Sequence, residues 1–132
     1  MENFLLQREL TISCSRTERG KHMQLGIRLH DIKKAPLEER LAIAKEQGFL
    51  CGHLALSKVI TEYPVDDGAL TPGYAMYLKK IFAKNDLDIA VLGCYLNLAN
   101  PDEGQLAKIT HRYLAHIRFA SLLGVGVVGT ET

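Results

Sequence analysis

Polar residues that could do chemistry recur where apolar runs of this 132-residue chain give out. His30 and Asp31 follow Leu25, Ile27 and Leu29. Ser57 and Lys58 close the run that starts at Phe49. Tyr95 and Asn97 follow Ile89, Val91 and Leu92, and Glu131 follows Val125, Val127 and Val128. Each position has two readings. His30 can bond a ligand hydroxyl or serve as a hydrogen-bonded structural residue. Lys58 can contact a phosphate or stand as a solvated loop lysine. Asn97 can bond a substrate hydroxyl or cap the turn before Pro101. Glu131 shares one strand face with Val127 and Gly129, which carries it to the rim, or it is a solvated glutamate.

Other reactive side chains read as inert. Cys14, Cys51 and Cys94 lie far apart, with no CxxC pair and no histidine at zinc-site spacing. Cys94, inside an apolar run, reads as a small buried hydrophobe. His111 and His116 are five apart, which does not bring them together on one helical face, and both read as surface residues. Arg112 and Arg118 read as solvated charges. The formal net charge is +1 and 23% of residues are charged, so no basic excess points to nucleic acid. No apolar run approaches the ~20 residues of a membrane span, and three sparse cysteines fit reduced thiols in the cytoplasm.

The elements that must position these residues follow from periodicity. Residues 1–22 are polar and unpatterned, and are expected to be a disordered or non-native leader. Residues 24–32 alternate as a first strand. Pro36 suits the first turn of a helix whose stripe is Leu37, Leu41 and Ala44, and Gly48 ends it. A second strand is expected over 49–57 and a loop over 58–70. Thr71-Pro72 caps a second helix carrying Tyr74, Tyr77, Leu78, Ile81 and Phe82. A third strand starts at Asp88. Asp102 and Glu103 favour the positive end of a third helix, whose stripe is Leu106, Ile109, Tyr113, Ile117 and Ala120. Gly124 closes that helix before a fourth strand at Val125.

The order β-α-β-α-β-α-β predicts an α/β fold with a parallel sheet and 47% hydrophobic residues to fill its core. An open doubly wound sheet is the competitor. The first βα turn, His30-Asp31-Ile32-Lys33-Lys34, argues against it, because no glycine there lets backbone N–H groups reach a phosphate.

MQLGIRLHDIKKAPLEERLAIAKEQGF resembles strand one and helix one of the sugar phosphate isomerases and epimerases with the xylose-isomerase-like TIM barrel. CYLNLANPDEGQLAKI and RFASLLGVGVVGTET resemble their third strand, third helix and fourth strand. The resemblance covers residues 23–132. It implies the first four strands and three helices of a (β/α)8 barrel, with chemistry at the carboxyl ends of the strands. It also implies a divalent metal (manganese, magnesium or zinc) held by Glu, Asp, His and Glu of later strands. His30, Lys58, Asn97 and Glu131 then become substrate-pocket candidates for a sugar or sugar phosphate. By analogy with the related endonuclease IV branch, Glu131 matches a strand-four metal ligand.

Three functions follow. The first is part of a metal-dependent isomerase or epimerase, inactive until strands five to eight join it. The second is a half-barrel that pairs with itself or with a complementary half as a binding or structural module. The third, DNA repair of the endonuclease IV kind, is disfavoured by the neutral charge and missing histidine ligands. A half-barrel exposes sheet edges and apolar surface, so self-association is expected.

Overall fold

The computed structural model describes residues 23–130. The expected leader over 1–22 and the candidate Glu131 lie outside the described residues. Four strands, β1 (Gly26–Arg28), β2 (Cys51–Ala55), β3 (Asp88–Gly93) and β4 (Val128–Gly129), form one sheet in the order β1-β2-β3-β4. All three pairings are parallel. Doubly wound sheets reverse their order near the first strand, and this sheet does not. Four helices accompany it: α1 (Leu37–Glu46), α2 (Leu56–Val59), α3 (Pro72–Lys84) and α4 (Glu103–Leu123).

The helix boundaries follow from their caps. The Thr71 hydroxyl accepts from the Tyr74 amide at 3.2 Å, and an Asp102 carboxylate oxygen accepts from the Gln105 amide at 2.8 Å. Each satisfies an orphan donor of the first turn and stabilises by about 1 kcal/mol. Gly48 and Gly124 take positive φ of 86° and 73°, where a side chain would be strained.

One core holds the layers together. Leu54 of β2 and Leu92 of β3 pack with Leu41, Leu78, Phe82 and Phe119 from the helices. Burying a large side chain of this kind stabilises by ~1.5–3 kcal/mol, so this face carries the fold's hydrophobic stabilisation. Alternation along β2 turns His53 to the opposite face from Leu54.

Three expectations need correction. The first strand stops at Arg28, and Leu29–Asp31 forms a 3-10 turn. Arg40, 3% exposed, explains that turn: its guanidinium donates to the carbonyls of Ala35 at 2.8 Å, Leu29 at 3.1 Å and Ile32 at 3.5 Å. The second strand stops at Ala55, and Ser57 and Lys58 lie on α2 instead of in a strand end and loop. Leu56, Val59 and Ile60 are buried at helical spacing, and that burial favours a turn of helix. The third concerns His116, which is buried at 6% exposure rather than lying at the surface. Along α4 the buried side chains are His116, Phe119, Ala120 and Leu123, while Ile117 of the expected stripe is 44% exposed.

Candidate functional site

Beyond the carboxyl end of β1, the Arg40-stapled turn presents His30 half-buried. In register with Arg28 of β1 and Val91 of β3 stands His53, in the middle of β2. Tyr95 lies two residues beyond β3. The three rings meet. The ring centroids of His30 and His53 are 5.7 Å apart and perpendicular, those of His30 and Tyr95 are 5.8 Å apart at 84°, and those of His53 and Tyr95 are 5.8 Å apart and stacked. His53 Nε2 and the Tyr95 hydroxyl are joined by a 3.2 Å hydrogen bond.

The floor beneath His53 is Gly93. A Cβ there would collide with His53 Nε2 and come within 3.0 Å of Ala55 Cβ, so only glycine leaves the imidazole its place. Lys58 reaches in from α2 and sets its ammonium 3.7 Å from the centroid of Tyr95. The ring quadrupole attracts that cation by ~0.5–2 kcal/mol. Arg28 Nε bonds Asp31 at 2.8 Å at the margin, an exposed pair of small energetic weight.

Of the sequence candidates, His30 and Lys58 therefore converge, with Tyr95 between them. Asn97 is exposed, and its side-chain oxygen accepts from the Ala99 amide at 3.0 Å, closing an Asx turn. His53 is the residue that the pattern reading passed over. Its signal was present, since Cys51, His53 and Ala55 alternate with Gly52 and the core residue Leu54.

Acid–base properties elsewhere follow burial. Cys94 is buried as expected, and desolvation pushes its thiol up to about 11. Burial also raises Cys51, with Asp88 adding to the effect. Burial lowers His116. Its Nδ1 lies 2.9 Å from the Arg112 carbonyl, which can only accept, so the proton of the neutral ring sits on Nδ1.

His30, His53 and Tyr95 carry groups that can accept or donate protons, and Lys58 adds N–H donors. Among the described residues no three His, Cys, Asp or Glu side chains are grouped to hold an ion. The sequence matches no known family and no curated protein.

Proposed function

We propose that this chain supplies the first four βα units of a xylose-isomerase-like barrel and one wall of its sugar phosphate pocket. The activity is isomerisation or epimerisation beside a carbonyl. One observation carries the reading. A singly wound parallel sheet packs its core on one face and gathers His53, from the middle of β2, with His30 and Tyr95, from just beyond β1 and β3, on the other, toward the carboxyl ends where barrels work. His53 and Tyr95 are placed to move a proton to or from a substrate hydroxyl or carbon, and His30 and Lys58 to orient it.

In this reading four further strands complete the barrel and bring the divalent metal's ligands. A cytoplasmic site of action goes with it. No helix among the described residues is long and apolar enough to cross a membrane.

The test fuses strands five to eight of a barrel of this family after Thr132. Interconversion of aldose and ketose phosphates is then followed by NMR, with manganese and with chelator. Metal-dependent conversion by the fusion, and none by the chain alone, is expected. A folded fusion that converts none of a panel of pentose and hexose phosphates overturns the reading.

A second reading, a self-pairing half-barrel, draws on the exposed Leu114, Ile117 and Leu122 of α4, beside the edge strand β4. Light scattering separates the two: a sharp monomer peak that unfolds cooperatively excludes self-pairing.

A further inference from the structure

On the helix side of the sheet three aromatic rings run in file from the core to the surface. Buried Phe119 of α4 stacks on Tyr74 of α3 with centroids 5.8 Å apart, and Tyr74 stacks on Tyr77, three residues further along α3, at 6.1 Å. Both pairs lie within 17° of parallel. The file ends at Tyr77, which has one face on Tyr74 and is still 41% exposed. Its hydroxyl donates to Glu38 Oε1 of α1 at 3.3 Å. We propose that the exposed ring of Tyr77 and the Glu38 carboxylate form a docking site for an arginine side chain of a partner protein. The inference is independent of the isomerase reading, because its residues belong to the helices and not to the strand-end cluster.

Charge decides the sign of the partner. Glu39 is already paired with Lys33 at 3.2 Å, whereas Glu38 is paired with no cation among the described residues. Glu62 adds negative charge that is felt at Tyr77. Arg40 offsets part of it, but its guanidinium is committed to carbonyls. Among the described residues only Lys58 lies over an aromatic ring, that of Tyr95, so no cation covers Tyr77.

Shape then selects among cations. A planar guanidinium can lie on Tyr77 as the next member of the file and aim its N–H fork at Glu38. A lysine ammonium is compact and strongly hydrated, and it cannot stack. The receiving ring is ordered in advance: Tyr63 meets Tyr74 edge-on at 6.1 Å, and their hydroxyls are bonded at 3.0 Å, which ties the loop after α2 to the file. Little side-chain freedom is then lost on binding. The surroundings favour a protein as the source. Met76, the neighbour of Tyr77 on α3, is 72% exposed and gives a partner's surface apolar area to cover.

The experiment uses the whole chain with ring-13C-labelled tyrosine. N-acetyl-arginine amide is titrated, with the citrulline amide as neutral isostere, the lysine amide as compact cation, and free arginine as the small-molecule form. Saturable shifts of Tyr77 are expected with a dissociation constant of roughly 10 mM, as befits one side chain without the rest of its protein. Tyr113, on another part of α4, should not move. Citrulline should give no response, lysine should bind at least about threefold more weakly, and free arginine should bind no better than the amide. Glu38→Gln and Tyr77→Leu should each weaken binding at least about threefold, read by saturation transfer to the arginine side-chain protons. Both residues are exposed, and matching circular dichroism spectra verify that the variants fold.

Equal shifts at Tyr113, equal binding of citrulline, lysine as tight as arginine, or unchanged affinity in folded Glu38→Gln would each overturn the site. Free arginine that binds several-fold tighter than its amide would overturn the protein partner in favour of a small molecule.

Discussion

Arg40→Met should cost the fold about 3 kcal/mol and disturb the site without touching it. The guanidinium is buried and bonds the carbonyl of Leu29, in the turn that carries His30, at 3.1 Å and those of Ile32 and Ala35 in the segment after it at 3.5 and 2.8 Å. Each carbonyl stripped of its donor costs ~1–3 kcal/mol. Relief from burying a charge offsets part of that sum, which leaves about 3 kcal/mol. Circular dichroism is the natural probe, since the chain has no tryptophan. With an m-value of ~1–2 kcal/mol/M, the urea midpoint should fall by roughly 2 M at a fixed protein concentration. The His30 imidazole resonance should shift with it, because its turn has lost its staple. Arg40→Lys keeps the charge but not the planar fork, and most of the loss should persist. A midpoint within about 0.5 M of the parent would refute the assignment. Full recovery by lysine would show that charge, rather than the three-carbonyl fork, holds the turn.

Three further outcomes are expected. Gly93→Ala should push the His53 ring off Tyr95 and destabilise by ~1–3 kcal/mol, as overpacking does; retention of both histidine resonances at parental shifts would contradict this. His116 is held neutral by burial, so its folded pKa lies below the unfolded value of ~6.5. As pH falls from about 6.5 toward that lower value, the unfolded chain gains a proton that the folded chain refuses, and stability declines. His116→Gln should flatten this decline, which urea midpoints at pH 5 and 7 would reveal. Cys94, with its thiol near 11, should resist iodoacetamide at pH 8 until the chain is denatured, whereas half-exposed Cys51 reacts sooner; mass-spectrometric mapping tells them apart.

Local chemistry was legible in the sequence, and long-range chemistry was not. The Thr71-Pro72 start, the Asp102 cap and the glycine stops at 48 and 124 depend on a few adjacent residues, and they stand where pattern puts them. Strand ends depend on distant partners. Nothing around Arg40 announces that its side chain will fold back onto Leu29 and Ile32, so β1 reads too long. His116 falls outside the apolar stripe expected for its helix, and the packing of α4 buries it. His30 and Lys58 were recognisable as strand-end residues, but the ring contacts that join them through Tyr95 link residues far apart in the chain. His53 was hidden in plain alternation between two core positions. Glu131, the remaining candidate, lies outside the described residues.

The sheet divides its labour between its faces, and that division bears on how such a chain can change. Leu54 and Leu92 secure the fold on the helix side, while His53 and Tyr95 stand on or beyond the same two strands, outside that core. Mutational drift at the rim therefore leaves the core packing largely intact, and new ligand preferences can be sampled before stability is exhausted. Gly93 is the exception, a hinge between the two programmes, because any side chain there alters the seat of His53 and the spacing to Ala55 together. A lineage built on this sheet is free to diversify at its mouth so long as that one position stays bare.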